Sequence, residues 1–180
     1  PIGDSAASRP NLQLLRSLII DYLDTNGFIY DSRDSVASVF IQDLQTGEEL
    51  NILGDVAFSA ASTMKVPILI DFYRTLNAPP SQDEAFIMAN SLLCSRNSSS
   101  NILLRLIGQD DMLAGVRSVT ETAQKLGARN TFISAPFQEV TGQAFGSTVV
   151  PRTSPNPNYN TNPDPLNQTT AEDLGTLYGM

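Results

Sequence analysis

The apolar positions change period twice along the chain. Leu12, Leu15, Ile19 and Leu23 recur at helical spacing across residues 11–24, and Gly27 follows as a stop signal. From Val36 to Asp43 the pattern becomes that of a strand, rich in β-branched and aromatic residues. Gln45-Thr46-Gly47-Glu48 then predicts a turn and Glu49 to Leu53 a second strand, so the pair reads as an antiparallel hairpin. Beyond it the spacing is helical again, over 62–76, 81–94, 98–107 and 111–126. A helix, a hairpin and then a run of helices predicts an α+β domain rather than alternating βαβ units.

Residues 134–168 break the periodicity. Pro136, Pro151, Pro155, Pro157, Pro163 and Pro165 alternate there with Asn156, Asn158, Asn160, Asn162 and Asn167. A loop of that length inside one domain points to function or disorder. Thr169-Thr170-Ala171-Glu172 reads as a capping box that opens a last helix. No repeat and no second-domain signature interrupts 1–180, so a single domain is expected. One hairpin alone makes a marginal sheet. Further strands are therefore expected from sequence past residue 180, with the domain incomplete at its C-terminus; the plainer reading is a small helical protein with one hairpin.

Composition narrows the chemistry. The 180 residues are 41% hydrophobic and 17% charged, which is globular usage. Eleven Lys and Arg against 19 Asp and Glu give a net charge of -8, which argues against nucleic acid or anionic lipid as partners. No apolar run approaches the roughly 18 residues that a membrane span needs. Histidine is absent, which removes the Ser-His-Asp triad, the Cys-His pair and imidazole metal ligands. The one cysteine, Cys94, cannot close an internal disulfide. Acid–base chemistry is left to Asp, Glu, Lys, Tyr or Cys.

Two short motifs carry that chemistry. In Ser62-Thr63-Met64-Lys65 a hydroxyl and an amine stand three residues apart at a predicted helix start, on one face and within mutual reach. Unpaired N–H groups and the helix dipole there favour developing negative charge, and a lysine in a partly dry site can lose its proton readily enough to act as a base. Taken alone, the same spacing fits a serine cap with an exposed lysine. About thirty residues on, Ser95-Arg96-Asn97 forms an S-x-N element between two helices, followed by Asn101-Ile102-Leu103-Leu104. This stretch also reads as a polar turn whose Ser98–Ser100 cluster caps the next helix.

Together the motifs resemble the class A serine β-lactamases and the related penicillin-binding proteins, in which S-x-x-K is followed by S-[DR]-N and N-[IL]-L-L. The segments Gly127-Ala128-Arg129-Asn130-Thr131 and Thr169-Thr170-Ala171-Glu172-Asp173-Leu174 are similar to stretches that flank the family's active-site loop, which puts 134–168 in that role. The resemblance implies a serine β-lactamase/DD-peptidase-like α+β fold: an N-terminal helix and hairpin plus the helical subdomain. It implies Ser62 as acylated nucleophile, Lys65 as its proton acceptor, Ser95 as proton relay to the leaving nitrogen and Asn97 as a hydrogen-bonding partner of the substrate amide. No cofactor is implied. The substrate would be a β-lactam or a D-Ala-D-Ala-like peptide, the site would work outside the cytoplasmic membrane, and a C-terminal fragment would complete the fold.

Three departures shape the expectation. Arg96 replaces the usual Asp between Ser95 and Asn97. Counting back from Thr169-Thr170, the window that should hold a water-activating Glu is Ser154-Pro155-Asn156-Pro157-Asn158, which has no carboxylate; Glu139 and Asp164 read as solvated loop residues. The family's K-T-G strand is missing. A β-lactam is thus expected to acylate Ser62 and leave slowly, and the competing class is a binding or structural module without turnover. Gly3-Asp4-Ser5 lacks the preceding strand and the histidine of G-D-S esterases and is set aside. Cys94, Tyr22, Phe72 and Tyr73 read as core or core-edge, and Asp83-Glu84 and Asp110-Asp111 as helix N-terminal acids.

Overall fold

The computed structural model describes residues 10–28, 30–32, 35–149 and 152–180; Gly3-Asp4-Ser5 and Pro151 lie outside them. The order is helix α1 (Pro10–Thr25), strands β1 (Asp31–Ser32), β2 (Ser35–Val36), β3 (Val39–Gln42), β4 (Glu49–Ile52) and β5 (Ala57–Ser59), and a 3-10 turn, Ala61–Met64. Helices α2 (Lys65–Thr75), α3 (Gln82–Leu92), α4 (Asn97–Ile107) and α5 (Met112–Lys125) follow, then β6 (Phe132–Ile133), β7 (Asn167–Thr170) and α6 (Ala171–Tyr178). This is the predicted α+β arrangement.

The helices follow their apolar stripes. Met64, Ile68 and Phe72 recur every fourth residue and are buried, as are Leu103, Leu104 and Ile107 of α4 and Val116 and Val119 of α5. They meet Met88, Ile133 and Phe137 in one core. Gly115 carries no side chain where α5 meets α4, and a Cβ there would run into the Leu104 carbonyl. Ser81 and Glu84 form a reciprocal capping box on α3, and Asp111 Oδ1 accepts the Leu113 and Ala114 N–H groups to start α5.

The predicted hairpin is β3–β4, with Val39 opposite Ile52 and Gln42 opposite Glu49; Ala37 and Ser38 separate it from β2. A second sheet, with antiparallel order β5-β7-β6, is invisible to periodicity. Its strands are two to four residues long and β7 reads Asn-Gln-Thr-Thr, with no apolar alternation to detect. It matters for function because β7 continues to grip the chain past β5, through the Ala60 N–H on the Asn167 carbonyl, and so fixes the approach to Ser62.

Several local expectations are corrected. Thr170, not Thr169, caps α6, its hydroxyl accepting the Asp173 N–H, while Glu172 turns outward to Asn51. Ser98–Ser100 do not cap α4: the helix opens after Arg96 without a side-chain cap, and Ser100 is buried with its hydroxyl 2.8 Å from that of Ser91. Phe72 is core, but Tyr22 and Tyr73 are 69% and 51% exposed, on helix faces that nothing covers among the described residues. Cys94 is also exposed, because α3 ends two residues before it.

Candidate active site

Ser62 does not open an α-helix as expected; it lies in the 3-10 turn, which runs directly into α2 at Lys65. The tighter winding serves the same purpose, because side chains three residues apart eclipse in a 3-10 turn. Lys65 Nζ is 3.2 Å from Ser62 Oγ. Pro67, third in α2, sits where a missing N–H costs no helical bond.

The S-x-N element arrives from the other side. Arg96 donates its N–H to the Asn90 carbonyl, which closes the end of α3 and holds Ser95 at φ 51°. In that conformation Ser95 offers Lys65 Nζ both its carbonyl, at 2.5 Å, and its Oγ, at 2.8 Å. Ser95 Oγ is also 3.0 Å from Ser62 Oγ. Asn97 begins α4 with Oδ1 at 3.1 Å from Lys65 Nζ, while its Nδ2 donates to the Gln138 carbonyl at 2.7 Å. Ser62, Ser95 and Asn97 are therefore gathered around the amine of Lys65, the fourth residue singled out from the sequence.

Lys65 is 2% exposed, and its hydrogen-bond partners among the described residues are all neutral. Burial holds its pKa below the ordinary lysine range, because a charged amine loses hydration there. Ser62, by contrast, is open to solvent. A buried amine behind an exposed hydroxyl, with a second hydroxyl touching both, can pass a proton among three groups.

The long loop contributes one residue the sequence did not flag. Phe137 is buried and its ring centroid is 5.2 Å from Lys65 Nζ. Asn101, one helical turn past Asn97, takes the Phe137 N–H on Oδ1 at 3.0 Å and gives Nδ2 to the Phe137 carbonyl at 2.8 Å. Glu139 is exposed and tied to the same Asn101 Nδ2 at 2.9 Å, and it borders a cavity of about 240 Å³ with Ser98, Ile102, Arg105 and Met112 rather than with Ser62. The 154–158 window lies elsewhere: Asn156 binds Asp55, and Ser154 binds Asn130. Asp164 is exposed and caps its own turn at the Leu166 N–H. The Asn97-to-Asn101 spacing was the available signal for the clamp, since residues four apart share a helix face.

Residues 24–89 match the sequence model of the β-lactamase enzyme family, a stretch that holds the hairpin, Ser62 and Lys65 and ends before Ser95. Among solved structures the chain is similar to a β-lactamase from Desulfarculus baarsii DSM 2075, with a TM-score of 0.57 and 16% identity over 91% of this chain and 60% of that one. It is also similar to a D-alanyl-D-alanine carboxypeptidase from Mycobacterium tuberculosis H37Rv, with a TM-score of 0.52 and 20% identity over 79% of this chain and 54% of that one. No curated protein sequence matches it significantly. The chain thus spans 60% and 54% of the length of those two structures. Its fold is that of the serine β-lactamases and DD-peptidases, and the family its hairpin and Ser62 segment match is the β-lactamase enzyme family.

Proposed function

We propose that the chain carries the nucleophile half of an acyl-transfer site of β-lactamase or penicillin-binding type, acting outside the cytoplasmic membrane. The observation that supports this best is the buried Lys65 amine, whose hydrogen-bond partners among the described residues are all neutral, 3.2 Å from the exposed Ser62 hydroxyl. Neutral Lys65 takes the Ser62 proton as Oγ bonds to the carbonyl carbon of a β-lactam or D-Ala-D-Ala-like amide. The C–N bond then breaks, and Ser95 hands the proton from the Lys65 ammonium to the leaving nitrogen. Asn97 offers its amide to the substrate in exchange for the Gln138 carbonyl it now holds. The Ser62 N–H is one oxyanion donor; a group of this kind is typically worth about 10²–10³ in rate.

Slow deacylation is part of the reading. Beside Lys65 the loop presents the Phe137 ring, not a carboxylate that could activate water. The partner segment is part of it too: β3 pairs only with β4 among the described residues, and a strand from a further C-terminal segment would bring the second oxyanion donor.

The test is intact-protein mass spectrometry after incubation with benzylpenicillin, using this chain and a longer one that spans the full length of its structural relatives. A persistent adduct mapped to Ser62, absent in Ser62→Ala and formed at least about 10²-fold more slowly in Lys65→Ala, is the expected outcome. A folded longer chain with no adduct would transfer the assignment to a non-catalytic module on the same fold.

A further inference from the structure

We infer that Phe137, held by Asn101, is a positioning residue for Lys65, its ring face standing above the ammonium where a carboxylate counter-ion would otherwise be needed. The inference rests on the reading of Lys65 as the base for Ser62. It is carried by three features of the geometry. The ring centroid is 5.2 Å from Nζ, inside the roughly 6 Å within which a cation is drawn to a ring face. The backbone that carries the ring is held, because the 2% exposed Asn101 carboxamide binds both the N–H and the carbonyl of Phe137, and the side chain is buried in the main core. Among the described residues the amine has no ionic partner to make the ring redundant.

That last point follows from the surroundings. Cys94 and Arg96 on the link between α3 and α4 are exposed, and neither bonds Lys65. Glu139 is engaged by Asn101. Further along α2, Asp71 is paired with Arg74 and accepts the Thr122 hydroxyl. The four acceptors that do reach Nζ are neutral.

Two effects then oppose each other at Lys65. Removal from water disfavours the ammonium, and the ring face favours it. The balance keeps the amine able both to receive the Ser62 proton and to give it up. A bare apolar cover would push it further toward the neutral form, whereas a loose, wet cover would return it toward an ordinary lysine. The two failures have opposite signs.

The chain has only two lysines, Lys65 and Lys125, so ¹³Cε-lysine NMR resolves both titrations, with the exposed Lys125 as internal reference. Phe137→Leu keeps the apolar cover and removes the ring face. It is expected to lower the Lys65 midpoint by about half to one and a half pH units, the shift that a cation–ring contact of ordinary strength converts to. Phe137→Tyr, which keeps a ring face, is expected to leave the midpoint in place, and Lys125 should not move in either. Should the leucine variant fail to fold, trifluorophenylalanine placed at 137 weakens the ring face at nearly constant shape and should lower the midpoint in the same direction. A Lys65 midpoint that stays put or rises in the folded leucine or trifluorophenylalanine variant, or that falls as far in Phe137→Tyr, overturns the inference. Because the titration needs no substrate, it fails separately from the reading of Ser62: a midpoint that falls with no penicillin adduct sinks the function alone, and an adduct with an unmoved midpoint sinks the ring alone.

Discussion

Two non-glycine residues with left-handed backbone shape the hydroxyl pair: Ala61 at φ 46°, immediately before Ser62, and Ser95 itself at φ 51°. Such a conformation costs an L-residue roughly 1–2 kcal/mol, and it persists only where the surroundings enforce it. Ser95 gains two contacts to Lys65 from its strain, whereas the Ala61 methyl is exposed. Ala61→Gly should therefore stabilise the fold, raising the urea midpoint by the equivalent of about 0.5–1 kcal/mol with an unchanged slope. A lowered midpoint would mean that the alanine methyl supports the turn. At this scale the sequence was most informative where spacing alone fixes geometry: a separation of three from Ser62 to Lys65 and of two from Ser95 to Asn97. Phe137 was hidden because its role depends on where a long loop returns, and counting back from Thr169 led to a window that folds against Asp55 and Asn130.

Among the elements, α6 shows how a buried carboxylate can tie a loop to a helix. Asp173, in its first turn, accepts the Asn130 N–H at 2.7 Å and the Thr131 hydroxyl at 2.8 Å, and Thr131 in turn is 2.9 Å from the Thr169 hydroxyl. Desolvation raises the Asp173 pKa and outweighs the hydrogen bonds from Thr131 and Asn130, which lower it. A group that holds its proton more tightly when folded contributes stability in full below its unfolded value, and that contribution is lost as pH rises through the folded value. Urea midpoints should accordingly fall as pH increases from the ordinary carboxylate value, near 3.9, to the raised one. Asp173→Asn should flatten that segment; an equal slope in the variant would assign the pH dependence to other carboxylates. The helices were legible because each buries a stripe at i, i+3 and i+4. The sheet that holds Asp173's helix was not, because β5, β6 and β7 rely on backbone pairing and buried threonines rather than on an apolar alternation.

On the scale of the whole molecule the packing is lopsided. The main core lies among α2, α3, α4, α5 and the β6 segment, with Ile68, Leu103, Leu104, Val116 and Val119 fully removed from solvent. Among the described residues the β3–β4 hairpin packs mainly against α1 and α6, and every residue of β3 is half-buried. Leu14, Leu18 and Tyr22 form an exposed stripe on α1 at every fourth residue, and a cavity of about 530 Å³ runs between β3 and α6 past Phe40, Leu174 and Tyr178. Two strands that pair only with each other are marginal by themselves. Amide hydrogen exchange in this chain should then be fastest in β3, β4 and α1, and slowest in α2, α4 and α5, because exchange follows the local free energy of opening. In a longer chain spanning the length of the structural relatives, a strand added to the free edge of β3 would pair its outward amides, and their exchange should slow by at least about tenfold while α4 changes little. If β3 exchanges equally fast in both chains, no strand joins that edge, and the second oxyanion donor must come from somewhere other than a neighbour of β3.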